Sequence, residues 1–68
     1  MKIKVNGETK EVSPGLTLRQ LLLDLEIDPS RPGIAVAIDQ EVIPRTQWEE
    51  TAIQPESEIE IIRAAQGG

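Results

Sequence analysis

The last eight residues, IIRAAQGG, pass from isoleucines to small residues and end on Gly67 and Gly68. Glycine makes up about 7% of residues in proteins, so two terminal glycines arise by chance in only about one chain in 200. A glycine pair has no Cβ, so it can thread a narrow channel and adopt φ angles closed to other residues. If extended, residues 64–68 span roughly 17 Å. That length would carry the Gly68 carboxylate into the active site of another protein.

The group that would react is this terminal carboxylate. A carboxylate is a poor acyl donor until it is activated, and adenylation is the common means of activation. Gly68 would then be the substrate of a partner enzyme, and the folded part of the chain would carry it there. The competing interpretation is a frayed terminus without a role, as at most chain ends.

The side chains offer little other chemistry. The chain contains no histidine, cysteine or tyrosine, which removes the groups most used as nucleophiles and as general acids and bases near neutral pH. Glu49-Glu50 and the series Glu56, Glu58 and Glu60 have no other ligands at metal-binding spacing, so a solvated surface is favoured. The five glycines never fall into a phosphate-binding spacing. We therefore predict a protein that is not an enzyme and has no cofactor or metal site of its own.

Length and charge limit the partners. A chain of 68 residues forms one small domain with a thin core. The net charge of −5, from 12 acidic and 7 basic residues, repels nucleic acid and anionic lipid and favours a basic protein partner; solubility alone is the alternative reason for such a charge. Met1 leads directly into an alternating pattern, and no apolar run reaches membrane-spanning length. We therefore expect a cytoplasmic protein without a leader.

The first half of the chain predicts a hairpin and a helix. Residues 1–5 alternate as a strand with one polar face, Asn6-Gly7 is typical of a type I′ turn, and residues 8–13 return as a second strand. Thr17 is a natural N-cap with Gln20 completing a capping box. One buried face is predicted for Leu18, Leu21, Leu22 and Leu25. The helix is expected to end at Asp28-Pro29, and Leu23 is its one candidate for an exposed apolar contact.

The second half predicts the rest of an α+β fold. Ile34–Ile38 suits a central strand with close packing on its alanine side, and Val42-Ile43 begins a short edge segment that Pro44 ends. Residues 45–57 are predicted to form a loop region with room for a helical turn, within which Trp48 fills the end of the sheet; an interface role for Trp48 is the less favoured alternative. Residues 58–63 form the last strand. We expect a mixed four- to five-stranded sheet with one helix across it in residues 1–63, followed by a flexible Gly-Gly tail in residues 64–68.

Together these features resemble the β-grasp (ubiquitin-like) sulfur carriers, and within them the ThiS-like carriers of thiamine biosynthesis. The resemblance covers essentially the whole chain and is carried by KVNGE, TLRQLL, VAIDQEVIPRTQW and EIEIIRAAQGG. The third of these stretches, which spans residues 36–48, is typical of the thiazole branch. Pro44, Arg45 and Trp48 match family positions, without a chemical role assigned to them.

The resemblance implies a complete reaction sequence. An E1-like activating enzyme would adenylate Gly68 with ATP, and sulfur from a cysteine desulfurase or a similar donor would convert the C-terminus into a thiocarboxylate. Thiazole synthase would be the acceptor of the sulfur. Gly67 and Gly68 would be the residues recognised in the tail, and we expect the sheet face near the tail to meet the activating enzyme.

Three alternatives stay open from the sequence. A carrier for molybdopterin or for another sulfur-containing metabolite would use the same tail, although molybdopterin carriers tend to be longer and to contain phenylalanine, which this chain lacks. A ubiquitin-like conjugation tag would join Gly68 to a lysine of a target protein after the same activation. A plain binding module would not need Gly68 at all.

Overall fold

The computed structural model describes residues 1–64 of the chain. These residues form a five-stranded mixed sheet that is covered on one face by a single helix. The elements, in chain order, are β1 (Lys2–Val5), β2 (Glu8–Glu11), α1 (Leu18–Asp24), β3 (Ile34–Ile38), β4 (Glu41–Val42), a 3₁₀ turn (Arg45–Gln47) and β5 (Glu58–Arg63). This is the predicted α+β arrangement, with five strands. Within residues 1–64, the helices are too short to span a membrane.

The strands lie in the order β2-β1-β5-β3-β4. The first and last strands, β1 and β5, pair in parallel, whereas the other neighbours are antiparallel. The middle strand is therefore β5, and β3, predicted as a central strand, lies beside it with neighbours on both sides. The expected close packing on the alanine side of β3 was wrong. Ala35 is exposed, because the helix covers the opposite face, to which β3 contributes the buried Val36.

The predicted hairpin is confirmed. Asn6 and Gly7 have φ angles of 50° and 85°, the two positive values that a type I′ turn requires, and they connect the paired residues Val5 and Glu8. The return strand ends at Glu11, two residues earlier than predicted. Beyond that point, the Val12 N–H still donates to the Met1 carbonyl at 2.9 Å.

The helix N-terminus has all of its free N–H groups satisfied. The Thr17 hydroxyl accepts from the Gln20 N–H at 3.2 Å, and the Gln20 side chain accepts from the Thr17 N–H at 3.0 Å, so the predicted capping box is confirmed. The N–H groups of Leu18 and Arg19 donate to carbonyls of the segment after β4, at Thr51 and Trp48. The helix start is thereby joined to the segment that carries the 3₁₀ turn.

The helix ends four residues before Asp28, so the predicted end at Asp28-Pro29 was wrong. Glu26 adopts a left-handed φ of 61°, its N–H donates to Leu23 at 3.0 Å, and the Ile27 N–H donates to Leu22 at 2.8 Å. These two bonds form a Schellman motif, which satisfies the last carbonyls of the helix. Glycine usually occupies the left-handed position, and glutamate gives no such signal in the sequence.

The core lies between the helix and the covered face of the sheet. Leu18, Leu21 and Leu22 are fully buried and Leu25 is partly buried, which confirms the leucine face. The strands contribute the buried residues Ile3, Val36, Ile59 and Ile61. The segment predicted as a loop supplies three more buried side chains, Trp48, Ile53 and Ser57.

Candidate functional site

The predicted site residues Gly67 and Gly68 lie outside the described residues. The structure describes the chain up to Ala64, and residues 62–64 are called the tail root below. Arg63 is the last residue of β5, and it is paired with Ile34 of β3. Within the described residues, the site therefore consists of the strand that carries the tail root and of the residues that hold this strand in place.

On its β3 side, the tail root is held by a loop carbonyl. The Ala64 N–H donates to the Gly33 carbonyl at 2.7 Å, one residue beyond the pairing of Arg63 with Ile34. Gly33 has a φ of 81°, a backbone conformation that glycine adopts without the steric cost of a Cβ. The direction in which the chain leaves β5 is therefore fixed by the last residue of the loop between α1 and β3.

On its other side, β5 is held by the side chain of Asn6. Backbone pairing of β1 with β5 ends at Val5 and Ile59, because β1 turns away into the hairpin. The Asn6 Oδ1 accepts from the Ile61 N–H at 2.8 Å, and its Nδ2 donates to the Ile61 carbonyl at 3.3 Å. The amide thus takes the place of the missing strand two residues before Arg63. The sequence marked Asn6 only as a turn residue, since a contact 55 positions away has no local signal.

The loop that ends at Gly33 contains a tight turn. The Arg31 N–H donates to the Asp28 carbonyl at 3.1 Å. The Asp28 carboxylate accepts from the Ser30 hydroxyl at 2.7 Å and from the Ser30 N–H at 2.9 Å. These two bonds hold the pKa of the Asp28 carboxyl below its usual value, with the charges of Arg31 and Arg19 acting in the same direction. The turn is therefore ordered by its own side chains.

Arg45 joins this turn to the segment after β4. Its guanidinium donates to the carbonyls of Pro29 and Arg31 and lies over the Trp48 ring, 4.6 Å from the ring centroid. Trp48 is only 3% exposed, and its indole N–H donates to the Ile43 carbonyl at 2.8 Å. Trp48 is thus a core residue, as the favoured prediction had it, and it lies beside the helix N-terminus.

The uncovered face of the sheet carries an apolar patch next to the tail root. Strand pairing places Ala35 opposite Ile62 and Ala37 opposite Val42. These four residues are called the open-face patch: Ala35, Ala37, Val42 and Ile62. Val42 is 69% exposed and Ile62 61%, and large exposed apolar side chains that lie together mark interaction sites. Leu23, at 47% exposed, has the predicted exposure but belongs to the helix on the other face.

Two acidic side chains lie beside the open-face patch. Glu58 and Glu60 of β5 alternate with the buried Ile59 and Ile61, so their carboxylates lie on the uncovered face with Ile62. Within residues 1–64, no group of three or more histidine, cysteine or acidic side chains could hold a metal ion. Glu58 and Glu60 therefore lie along the β5 side of the apolar patch, with Lys4 of β1 opposite Glu58, and carboxylates beside an apolar surface steer the approach of a basic partner.

Comparison with known protein families gives a match over nearly the whole chain. The model described as the ThiS family matches residues 3–68. Among curated proteins, the sulfur carrier protein ThiS of Escherichia coli (strain K12) is 32% identical over 68 residues, which cover 100% of both chains. A thiazole synthase of Paramagnetospirillum magneticum is 29% identical over 68 residues, which cover all of this chain and 20% of that protein.

Two solved structures share the fold. The crystal structure of the thiamine biosynthesis protein ThiS from Geobacter metallireducens has a TM-score of 0.83 and 24% sequence identity, with 100% of both chains covered. The solution structure of a thiamine biosynthesis protein from the same organism has a TM-score of 0.82 and 24% identity, and it covers all of this chain and 88% of that one.

Proposed function

Because the chain belongs to the ThiS family of β-grasp proteins, we propose that this sulfur carrier of thiamine biosynthesis carries its sulfur as a thiocarboxylate on Gly68. By family the protein is a carrier and not an enzyme. The observation that supports the proposal most is the family match, which extends through Gly67 and Gly68. A second supporting observation comes from the described residues, in which β5 is held on both of its sides up to the tail root.

The chemistry takes place on a single carboxylate. An E1-like enzyme joins the Gly68 carboxylate to the adenylyl group of ATP, with loss of pyrophosphate. A sulfur donor such as a cysteine desulfurase then supplies a persulfide, whose outer sulfur displaces AMP from the acyl carbon, and a thiol reductant cleaves the resulting S–S bond to leave the thiocarboxylate. The net change is one oxygen replaced by one sulfur, and ATP is bound by the activating enzyme. Since these reactions need ATP, we place the carrier in the cytoplasm.

The carrier's own contribution is to present the tail. Asn6 and Gly33 hold β5 from its two sides, so the folded domain has a defined surface from which the last residues extend. Gly67 and Gly68 suit passage through a narrow channel because neither has a Cβ. The activating enzyme and the acceptor enzyme both need access to the same carboxylate, and a tail of small residues serves both.

Thiazole synthase is the acceptor that we propose. In the Paramagnetospirillum protein of that name, a stretch similar to this chain makes up one fifth of the polypeptide. A carrier-like stretch joined to a thiazole synthase supports a direct contact between the two when they are separate chains. This relative also favours the thiazole branch over molybdopterin as the destination of the sulfur.

We place the docking surface for the partner enzymes at the open-face patch. Val42 and Ile62 are exposed there, and Ile62 lies in the tail root itself. A partner that covers this patch is therefore brought close to the point where the tail leaves the domain. The neighbouring carboxylates of Glu58 and Glu60 suit a partner with a basic rim, which would speed association and fix orientation.

Intact mass spectrometry tests the function. The protein is incubated with an activating enzyme, ATP and a sulfur donor, and fragment masses locate any change. We expect a gain equal to one oxygen replaced by sulfur, confined to Gly68. An unchanged mass with partner enzymes that are active on another carrier would contradict the proposal. High-mass conjugates through Gly68 would instead favour a protein-conjugation tag.

A further inference from the structure

One side chain connects a distant segment to the loop that fixes the tail root. Arg45 follows β4 and begins the 3₁₀ turn, whereas its two acceptors, the carbonyls of Pro29 and Arg31, belong to the loop after the helix. The other hydrogen bonds of residues 29–31 in the described chain are local bonds to Asp28. In residues 1–64, Arg45 is thus what hydrogen-bonds this stretch of loop to the rest of the fold.

The same loop continues directly to the tail root. Two residues beyond Arg31, Gly33 accepts from the Ala64 N–H at 2.7 Å. That bond lies one residue beyond β5 and is the last backbone hydrogen bond along this strand in the described residues. A continuous series of contacts therefore runs from the buried Trp48 ring to Arg45, from Arg45 to the loop carbonyls, and from Gly33 to Ala64.

We propose that Arg45 is a positioning residue for the carrier's reaction, because it holds the loop whose Gly33 carbonyl sets the direction of the tail root. This inference rests on the proposed function of Gly68. Gly68 lies four residues beyond Ala64, so the position of Ala64 sets the point on the domain from which the carboxylate must reach the active site of the partner enzyme. A reacting group misplaced by about 1 Å can lower a rate by about 100-fold.

The guanidinium group suits this role better than an ammonium group. Its N–H groups form a planar fork, so two of them reach two carbonyls that are two residues apart, whereas lysine is a point charge on a flexible stem. The flat face of the group can at the same time lie on the Trp48 ring, 4.6 Å away, in a cation–π contact. The Trp48 ring therefore holds the Arg45 guanidinium in place while the guanidinium holds the loop.

Hydrogen exchange tests the coupling without any enzyme. We compare the wild type with Arg45→Met, Arg45→Lys and a control, Arg19→Met. Arg19 is also an exposed arginine near Asp28, and in the described chain its side chain donates to no loop carbonyl. We expect the Ala64 amide to exchange about tenfold faster in Arg45→Met. The Ile61 amide, held by Asn6, should keep its wild-type rate, and Arg45→Lys should fall between.

The reaction itself provides the second measurement. In the thiocarboxylate assay we expect Arg45→Met to lower the kcat of the activating enzyme about tenfold, while the KM of that enzyme for the carrier stays within about twofold of the wild-type value. KM should stay near its wild-type value because the open-face patch, where the enzyme is proposed to dock, lies on the opposite face of the sheet from Arg45. Arg45→Lys should recover part of kcat, and Arg19→Met should match the wild type.

Three results would overturn the inference. If Arg45→Met accelerates exchange at Ala64 and Ile61 equally, Arg45 only stabilises the whole fold. If the variant keeps the wild-type kcat, the loop does not position the tail. If the wild-type protein gains no sulfur, the proposed function fails and with it the role of Arg45 in the reaction, whereas exchange at Ala64 still shows on its own whether the loop and the tail root are coupled.

Discussion

At the scale of single residues, β5 depends on two side chains at its ends. Asn6 and Asp39 each occupy the first position of a two-residue turn with positive φ, and each uses its side chain to hold β5. Asn6 binds Ile61 through both of its amide atoms, and Asp39 accepts from the Glu58 N–H at 2.9 Å. The residues that turn the two hairpins therefore also hold the strand that carries the tail.

Replacing Asn6 separates its two roles. Asn6→Gly keeps a residue that adopts positive φ easily but removes the amide, so we expect a loss of about 1–2 kcal/mol in the free energy of unfolding. Asn6→Asp can still accept from the Ile61 N–H but cannot donate, and its loss should be smaller. Urea denaturation measures both variants. Wild-type stability in Asn6→Gly would show that the amide bridge does not contribute.

Asp28 gives the fold a dependence on acid. Its bonds to Ser30 lower the pKa of the folded-state carboxyl below the ordinary value of 3.8. A lowered folded pKa contributes stability that is present above the unfolded pKa and is lost as the pH falls through the folded pKa. We therefore expect the stability difference between wild type and Asp28→Asn to be constant near neutral pH and to shrink below about pH 3.8. Denaturation curves between pH 2 and 7 test this, and a difference that grows in acid would contradict it.

At the scale of elements, those with local sequence signals could be predicted and those fixed by distant contacts could not. The Asn6-Gly7 turn and the capping box at Thr17 follow rules that act within four residues, and the leucine face follows the helical period. Arg45 instead contacts carbonyls 16 and 14 residues away, and nothing in its neighbourhood in the sequence marks them. Ile53 is buried in a segment without periodicity, so the predicted loop region and helical turn gave no indication that this segment contributes to the core.

The predicted strands agree with the structure in number and approximate position, but their order in the sheet was not predicted. The β-branched run of β3 indicated an interior strand correctly, because β3 has neighbours on both sides. Which strand lies at the centre depends on the parallel pairing of β1 with β5. The residues of a strand do not indicate which other strand it will pair with. Gly67 and Gly68 remain predictions, since they lie beyond the described part of the chain.

The end of the helix gives a prediction about stability. Glu26 adopts a φ of 61° at the position of the Schellman motif that favours glycine. We expect Glu26→Gly to raise the free energy of unfolding by about 0.5–1 kcal/mol, because the steric strain of a Cβ is removed. The control Asp24→Gly, at the last helical residue, should lower it by about 0.5–1 kcal/mol. Thermal or urea denaturation checks the signs, and destabilisation by Glu26→Gly would show that Glu26 makes a contact that outweighs the strain.

At the scale of the whole molecule, the fold and the proposed reaction are separable. The core residues lie between Ile3 and Ile61, whereas the reacting carboxylate belongs to Gly68. We expect deletion of Gly68 to abolish the gain of sulfur in the mass spectrometric assay and to leave the free energy of unfolding within about 0.5 kcal/mol of wild type. A truncated chain that still gained sulfur would contradict the assignment of Gly68, and a truncated chain that unfolded would show that the tail contributes to the fold.

The central place of β5 also determines when the protein can fold. Two hairpin-like pairs, β1 with β2 and β3 with β4, are joined into one sheet only through β5, and two-stranded units are marginally stable by themselves. During synthesis β5 is the last of these strands to be made. A chain that stops before Glu58 lacks β5, so its strand pairs are not joined into one sheet, and we expect it to be open to proteolysis. The strand that completes the sheet also carries the tail root, so the sheet is completed only when the chain has been made almost to its reactive end.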